Sequence, residues 1–480
     1  LLDPQKNLLV ECRTPSAMQR SVAENLFREA WDRGKTVAAP ASLSVSDTLL
    51  TVSSAPKVGV KVPKKDHISG GTLWTFSNDF KVVYKKMDTA GQIYWSMGMG
   101  AGFGSITDLD KGEGAFIGDC LWTSRIAGMS AEDFRKYLEL RNIEMDFRVG
   151  LASSFLRSTV HKDNIRLMLR ALAAVANEWE PDREAYMRYM KNEQLRLASF
   201  SGTDRERKVV MDSLMCPDYI YSPLKSSGKL SEDLLGKAER FFEECFARMN
   251  DGVLVIVGDM DEAELRKELL MQVGAFRTRK SAFYRPMVNY QPVSGWSTHT
   301  IDRSENSVYV TLSAPLPLTA ENKMASVIAA QVLEQSLSAA LETTGMYVEV
   351  VSNTIFNPQE RFNVMISLKE ASEDGFAAGI IHSGALEALR IMRTALKSLE
   401  ATEVTDTVVK AYKEWLKNDV ACRMKSPRYW VDAISMRHME GKDFSTDYKA
   451  RIDAVTTAKV RQILTSLNNA SKVEYIIRKK

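Results

Sequence analysis

Histidine is the side chain that most often binds a catalytic metal, and the histidines of this chain lie far apart. No two of them are within ten positions of each other, and none has a partner ligand at a recognised metal-binding spacing. The five are His67, His161, His299, His382 and His438. The sequence therefore predicts no metal site built on histidine. His438, between Arg437 and Glu440, is predicted to be solvated.

Residue type or spacing also argues against three other kinds of reactive site. The glycines over 98–104 lack the Gly-Lys-Ser/Thr ending of a phosphate-binding loop, and they indicate close backbone packing at a strand exit. Ser153, Ser154 and Ser227 have no histidine and aspartate in the arrangement of a serine hydrolase. Cys120 lies on an apolar helix face, which predicts a buried residue rather than a nucleophile.

The overall composition excludes several classes of protein. The 64 basic and 61 acidic residues are mixed along the chain, so no one-sided basic patch predicts nucleic acid as a partner. The five cysteines form no close pair, which argues against a disulfide framework. No apolar run is expected to cross a membrane. A first residue that is Leu1, with few cysteines, is compatible with a bacterial periplasmic or envelope protein, but these features do not define the compartment.

The patterns of apolar residues predict two successive sets of strands and helices. The first set has strands at 81–84, 93–97, 145–151, 155–161 and 253–257, with helices near 114–126, 131–140, 165–179, 183–198 and 230–249. The second set has strands at 308–312, 347–352, 361–368 and 473–477, with helices near 321–341, 375–399, 405–420 and 457–467. Corresponding elements lie roughly 200–220 residues apart in the same order, which indicates an internal duplication.

The predicted fold class is α+β, with two homologous domains that each contain a mostly antiparallel sheet with helices packed on one face. A short strand near 7–12, a helix over 22–31 and a stretch rich in Ser, Val, Pro and Lys come first. Residues 1–70 are therefore predicted to be the tail strand of a preceding domain plus a linker. The first domain is placed at 71–285 and the second at 286–480.

Several short stretches together carry a family resemblance. They are Gly-Thr-Leu-Trp-Thr-Phe-Ser-Asn at 71–78 with the strand at 81–84, Val-Ile-Val-Gly-Asp at 255–259, and Glu-Thr-Thr-Gly-Met-Tyr at 342–347 with Phe-Asn-Pro at 356–358. In this order they resemble the pitrilysin/insulinase family of zinc metallopeptidases over the whole chain. The resemblance implies four homologous domains in two halves that close like a clamshell around a peptide. This chain would be the C-terminal half, and residues 1–15 would be the last strand of the N-terminal half.

The family's inverted zinc motif, His-x-x-Glu-His on a helix, falls on 112–122. In that motif two histidines bind zinc and the glutamate polarises the attacking water. Here Ala115 and Asp119 stand at the histidine positions, and Gly118 stands at the glutamate position. Alanine and glycine offer no donor atom or base, and one aspartate cannot hold a zinc ion. We therefore expect no catalytic residue and no metal ligand in this chain, with zinc bound by the N-terminal half.

The resemblance also implies substrate contacts in the second domain. Tyr347 matches a tyrosine that reaches the zinc-bound substrate, where a phenol can donate a hydrogen bond to a developing oxyanion. An alternative is that Tyr347 is only a strand residue. The accompanying arginine would lie at Ala340, or at Leu341 if one residue is deleted, and neither residue carries a charge.

The expected function is that of a non-catalytic half of a bipartite zinc peptidase. It would close the chamber and bind an extended peptide, for example by adding it as an edge strand. Its partners would be the peptide and the N-terminal half of the same protein or a separate catalytic subunit. The alternative is a catalytically dead scaffold or binding subunit that keeps the peptidase fold, which the missing arginine favours.

Overall fold

The structure, a computed structural model, describes residues 19–35, 56–200, 202–279, 290–370, 384–398 and 404–479. The chain divides into two compact units, Leu1–Leu49 and Leu50–Lys480. In the first unit, the helix predicted at 22–31 is α1 (Arg20–Lys35). The strand predicted near 7–12 lies outside the described residues. All other described residues belong to the second unit.

The first sheet has seven strands, and five of its six neighbouring pairs follow the predicted antiparallel plan. In chain order the strands of this region are β1 (Lys64–Lys65), β2 (Thr72–Thr75), β3 (Lys81–Lys86), β4 (Gln92–Met99), β5 (Arg125–Ile126), β6 (Asp146–Val149), β7 (Ser154–His161), β8 (Trp179–Glu180) and β9 (Val253–Gly258). Their order in the sheet is β1-β2-β3-β9-β4-β7-β6, and only β3 and β9 are parallel. The remaining two strands, β5 and β8, form a separate short pair.

The second sheet has five strands and also contains one parallel pair. The strands are β10 (Trp296–Arg303), β11 (Ser307–Pro315), β12 (Met346–Ile355), β13 (Arg361–Glu370) and β14 (Ser471–Lys479). Their order is β10-β14-β11-β13-β12, and only β10 and β14 are parallel. β12 therefore lies at the end of this sheet.

Both sheets share one five-strand arrangement. The run β3-β9-β4-β7-β6 of the first sheet corresponds strand by strand, in order and direction, to the run β10-β14-β11-β13-β12 of the second. In each run the first strand lies parallel beside the last, and the second, fourth and third strands follow. This common topology is what the predicted duplication requires, and the predicted α+β fold class is confirmed.

One face of each sheet carries helices of its own repeat. The helices in chain order are α2 (Ile117–Leu121), α3 (Ala131–Glu139), α4 (Ile165–Asn177), α5 (Arg183–Ala198), α6 (Asp204–Met215), α7 (Leu234–Phe246), α8 (Glu262–Gln272), α9 (Ala320–Leu341), α10 (Ala385–Lys397), α11 (Asp406–Arg423), α12 (Pro427–Glu440), α13 (Tyr448–Asp453) and α14 (Thr457–Asn468). Many begin at a polar cap: the Ser130 and Thr319 side chains, for example, accept from the amides of Asp133 and Asn322.

The opposite face of each sheet is covered by a helix from the other repeat. Val253, Val255 and Val257 of β9 pack in one cluster with Val431 and Ile434 of α12. Because α12 covers this face and helices of the first repeat cover the other, β9 is buried throughout. Burial on both faces explains its uninterrupted apolar sequence, since a strand with one solvent-exposed face would alternate between apolar and polar residues.

The second sheet receives the equivalent helix of the first repeat. Met211 and Met215 of α6 pack against Tyr475 and Ile477 of β14. The α6 and α12 helices hold corresponding positions in the two repeats, so the exchange is reciprocal. Each repeat therefore completes the other's core, and each one alone would leave a sheet face bare.

The glycine-rich run at 98–104 lies in close contact with α12 and with neighbouring backbone. A Cβ at Gly98 would be 2.9 Å from the sulfur of Met439 in α12, and a Cβ at Gly102 would be 2.4 Å from the backbone oxygen of Leu151. No side chain larger than hydrogen fits either place without movement. The prediction of close backbone packing is confirmed.

The predicted linker over 1–70 includes residues that belong to the first sheet. Strand β1 pairs with β2, and Val60 forms an isolated bridge with Phe76. The Asp66 carboxylate, only 2% exposed, accepts hydrogen bonds from the Ser69 amide and hydroxyl. The composition of this stretch resembled a linker because its strand is short and its lysines are exposed. The predicted boundary between residues 285 and 286 falls within 280–289, which lie outside the described residues.

One helix passes a test of length and composition for a membrane span, and this does not overturn the expectation of no span. The segment Ala320–Thr344 meets the length and hydropathy needed for a span, although 56% of its most apolar window is buried within the protein. Its residues Ile328, Leu333 and Leu337 belong to the core of the second repeat. Burial of this kind is what a central core helix shows.

Candidate functional site

The segment predicted to match the zinc motif forms a short element packed against the edge of the first sheet. Residues Glu113–Phe116 form one 3-10 turn, and α2 follows directly. A Cβ at Gly118 would lie 3.0 Å from the backbone oxygen of Phe147 in β6. The helix therefore approaches the strand as closely as a glycine allows.

The helix predicted at 114–126 is shorter in the structure, because α2 ends at Leu121. The Thr123 and Ser124 hydroxyls donate to the Cys120 backbone oxygen at 2.9 and 3.0 Å, which satisfies a carbonyl at the helix end. Apolar periodicity did not reveal this end. The Cys120 side chain is fully buried, as predicted, and burial raises the pKa of its thiol.

Of the three motif positions, only Asp119 has a side chain that could bind a metal ion. Ala115 is exposed, Gly118 is buried and Asp119 is half-buried. Among the described residues, the one group of carboxylates and other ligand types close enough to hold a cation does not include Asp119. The residues present therefore do not fit a zinc ion at this position.

Asp119 is instead bound by a tyrosine from α5. The Tyr189 hydroxyl donates to Asp119 Oδ2 at 2.6 Å. Burial raises the pKa of the Asp119 carboxyl, and the hydrogen bond from Tyr189 opposes that shift without cancelling it. Burial and the adjacent carboxylate raise the pKa of the Tyr189 phenol. The pair thus keeps its proton on the phenol and its negative charge on the carboxylate.

A second charged group lies one turn further along α5. Buried Glu193 accepts a bidentate pair of hydrogen bonds from Arg196. The Glu193 charge raises the pKa of Asp119, whereas the Arg196 charge lowers it. These acidic groups are thus satisfied by side chains of this chain rather than by a metal.

A different cluster has the acidic residues that a cation would need. Oxygen atoms of Asp110, Glu113 and Asp233 all lie within 4.8 Å of one another. The Lys237 ammonium contacts all three carboxylates, at 3.4, 3.0 and 3.4 Å respectively. The Ser231 hydroxyl also donates to Glu113. An internal lysine therefore holds the place that a metal ion could take.

The Lys237 cluster is charged in the folded protein. Burial opposes the ionised form of Glu113, but hydrogen bonds from Ser231, the Asp110 amide and Lys237 outweigh it and lower the pKa of that carboxyl. Burial also opposes the Lys237 ammonium, and the contacts with Glu113 and Asp110 outweigh it and raise its pKa. Both shifts favour the ion pair, which is 4% exposed at the lysine and 1% at Glu113.

Tyr347 lies far along the chain, on the end strand of the second sheet. It stands opposite Lys369 of β13 and is 61% exposed. On the side of β12 away from β13, the structure places no other strand among the described residues. The strand therefore presents backbone groups that can pair with an added strand. The substrate-binding role of Tyr347 stays a prediction.

The exposed face of β12 and β13 adds apolar surface beside this edge. Tyr347 and Val351 alternate on the same side of β12 with the buried Met346, Val348 and Val350 on the other side. Val351 is 45% exposed, and the Met365 side chain opposite it on β13 is 40% exposed. Helix α6 packs on the strands at the other end of this face, near β14.

The position expected for an arginine carries no cation. Ala340 is exposed near the end of α9, and Leu341 is completely buried. Neither residue could supply a charged hydrogen bond to a substrate.

The histidines form no metal group among the described residues, and His382 lies outside them. His161 stands beside Asp163 at the surface, with Nδ1 3.2 Å from the carboxylate. His438 corrects the prediction of a solvated residue, because its side chain is only 21% exposed and its Nε2 lies 3.5 Å from Asp66 Oδ1. The cause is α12, which crosses onto the first repeat and carries His438 with it.

Comparison with solved structures relates this arrangement to known proteins. The periplasmic protease PqqL from Escherichia coli matches with a TM-score of 0.70 and 13% identity, over 97% of this chain and 51% of that one. A peptidase M16 inactive domain from Pseudomonas fluorescens matches with a TM-score of 0.63 and 14% identity, over 85% of this chain and 98% of that one. The chain has the M16 peptidase fold. No protein-family model and no curated protein sequence matches it.

The M16 fold by itself does not assign the chain to one half of a peptidase. This chain spans about half the length of PqqL. It also matches the separate first half of PqqL, with a TM-score of 0.63 and 10% identity, over 89% of this chain and 93% of that one. The same fold is thus shared with a half-length chain and with half of a longer chain.

Proposed function

We propose that this chain is the non-catalytic half of an M16-type zinc endopeptidase, which binds an extended peptide and helps to enclose it. A partner half would supply zinc and hydrolysis. The single observation that carries the proposal is the motif segment, where Ala115, Gly118 and the Tyr189-bound Asp119 replace every ligand and base within an otherwise retained fold. The match to an M16 domain described as inactive supports the same conclusion.

The peptide would bind along the outer edge of β12. An extended chain added there forms main-chain hydrogen bonds with a strand that has no second strand partner among the described residues. The exposed Tyr347 phenol can donate a hydrogen bond to a peptide carbonyl or to an oxyanion that develops on it. Alternate peptide side chains would meet the exposed face that Tyr347 and Val351 share.

The first experiment measures metal and activity on the 480-residue chain alone. We expect substoichiometric zinc by elemental analysis after dialysis against zinc, and no cleavage of a mixed peptide library by mass spectrometry. The control variant Asp119→His places one histidine at a motif position. This single histidine is not expected to create activity. Stoichiometric zinc together with robust turnover by the unmodified chain would reject the proposal.

The second experiment asks whether binding uses a strand edge. One fluorescein-labelled peptide is prepared in two versions. The first carries backbone N-methyl groups on its odd-numbered residues, and the second carries them on its even-numbered residues. A strand that pairs along one side uses the backbone N–H groups of every second residue only. Fluorescence anisotropy should therefore show that one version loses binding and the other keeps it. Equal loss, or equal retention, would contradict binding along β12. Tyr347→Phe, with Tyr448→Phe as the matched control, tests the phenol.

A second candidate function is a catalytically dead scaffold, and the uncharged Ala340 position favours it. A scaffold would bind a partner half or another subunit but would not bind extended peptides. The same anisotropy measurements separate the two functions. Absence of peptide binding, together with a stable complex with an M16 partner half in sedimentation, would assign the chain to the scaffold class.

A further inference from the structure

The exposed row of β12 has a charge pattern as well as an open edge. Tyr347, Glu349 and Val351 occupy successive positions on the exposed side of the strand. The row thus reads aromatic, acidic, aliphatic. The two outer residues are 61% and 45% exposed, although both are large and apolar.

The Glu349 carboxylate makes no ion pair or hydrogen bond with any of the described residues. Its direct neighbour on β13 is Ser367, and Lys369 stands opposite Tyr347, not opposite Glu349. Exposed acidic residues elsewhere do have such a partner, for example Glu387 beside Arg390. Among the described residues, Glu349 is therefore an unpaired carboxylate at the centre of an apolar row.

The geometry of strand pairing predicts which peptides this row of side chains would favour. A residue directly opposite another across neighbouring strands points to the same face of the sheet. If a peptide residue lies opposite Glu349, the residues two positions before and after it lie beside Tyr347 and Val351. This holds for either direction of the peptide, because the two outer positions are both apolar.

We infer that β12 selects extended peptides with a basic residue flanked, two positions away on each side, by apolar residues, and that Glu349 determines this preference. The inference rests on the proposed function, since it names the peptide class that the same edge takes. Opposite charges on directly facing strand residues attract, and like charges repel. The apolar flanks cover the exposed aromatic and aliphatic side chains, which removes their surface from water.

The test uses three fluorescein-labelled peptides that differ only at the centre: Ser-Thr-Val-Thr-Lys-Thr-Val-Thr-Ser and its central Gln and Glu versions. Anisotropy on the 480-residue chain should give affinities in the order Lys, Gln, Glu, with about two- to fivefold between neighbours. Glu349→Lys should invert the order, and Glu349→Gln should remove it while binding remains. Glu139→Lys makes the same charge change at an exposed position of α3 and should keep the order of the unmodified chain.

The outcomes separate the inference from the function on which it rests. Equal affinities for the three peptides, or an unchanged order in Glu349→Lys, would overturn the charge preference and leave peptide binding intact. Glu349 would then serve only to discourage edge-to-edge association. No binding of any peptide would remove the proposed function and the inference together. Raising NaCl from 50 to 500 mM should shrink the Lys-over-Glu preference, because the facing charges are exposed.

Discussion

The Tyr189 hydroxyl lies 2.6 Å from the Asp119 carboxylate and donates a hydrogen bond to it. Asp119 stands where the family resemblance places a histidine that binds zinc. A phenol from α5 thus satisfies the one polar side chain that remains in the motif. The hydrogen bond joins two helices, α2 and α5.

Removal of the phenol should therefore cost stability. In Tyr189→Phe the half-buried carboxylate loses its hydrogen-bond donor, and we expect the free energy of unfolding to fall by about 1–3 kcal/mol. Urea unfolding followed by circular dichroism at pH 7 measures the change. Tyr448→Phe, at a phenol that makes no hydrogen bond with the described residues, should change stability by less than about 0.5 kcal/mol. Equal losses in the two variants would contradict a special role for the Tyr189 contact.

The same pair predicts a pH dependence. Burial raises the pKa of Asp119 in the folded protein, so the unfolded chain releases that proton more readily. This contribution to stability is unfavourable above the folded pKa and disappears as the pH falls below about 4, the value in unfolded chains. Asp119→Asn should thus be more stable than the unmodified protein at pH 7, with the difference vanishing toward pH 3. A constant difference across that range would be inconsistent with the raised pKa.

The Lys237 cluster makes a different prediction. Lys237→Met keeps the length of the side chain but leaves Asp110, Glu113 and Asp233 facing one another without a cation. We expect a loss of about 3 kcal/mol, because removing one partner strands a buried charge. Millimolar calcium should restore part of the loss in thermal unfolding of this variant, and should not affect Lys229→Met, an exposed control. No effect of calcium would mean that the three carboxylates cannot rearrange around an ion.

The contact between Asp66 and α12 should contribute stability at neutral pH. Burial opposes ionisation of Asp66, but attraction to His438 and hydrogen bonds from Ser69 outweigh it and lower the pKa to about 2. The 3.5 Å separation from His438 is too long for a strong hydrogen bond, so Ser69 provides the firmer contacts.

A lowered folded pKa means that the Asp66 contribution is complete above the unfolded value and lost as the pH falls toward the folded one. The window therefore runs from about 4 down to about 2. Asp66→Asn should be less stable than the unmodified chain at pH 6, and the two unfolding curves should converge by pH 2. If the gap stayed the same over this window, Asp66 would act through packing alone.

Two glycines offer a matched pair for testing close packing. A Cβ at Gly252 would be 1.8 Å from the backbone oxygen of Gly98, so Gly252→Ala should lose about 3 kcal/mol through forced displacement of β4. Gly236 in α7 has no atom within 4 Å of such a Cβ, and Gly236→Ala should gain about 0.5–1 kcal/mol from helix propensity. Opposite signs in chemical denaturation are the expected result, and a loss in both would argue against the packing at Gly252.

Local sequence patterns predicted most of the strands and helices, because alternation and helical periodicity depend on residues a few positions apart. They failed where local hydrogen bonds ended a helix that the apolar periodicity would continue. At Leu121, the hydroxyls of Thr123 and Ser124 end the helix. They also missed the Lys237 cluster. The spacings of Asp110 with Glu113 and of Asp233 with Lys237, three and four residues, could have signalled it.

The residue types alone determined that Ala115 and Gly118 cannot bind zinc or activate water, since no fold can supply atoms that the side chains lack. Repeated order along the chain likewise indicated two related α+β units. Only the tertiary structure decided that α6 and α12 exchange between the repeats and that Tyr189 meets Asp119 from 70 positions away. It also decided that β12, which carries Glu349, is the last strand of its sheet among the described residues. Those relationships join residues remote in sequence, and they depend on which apolar faces find each other when the whole chain packs.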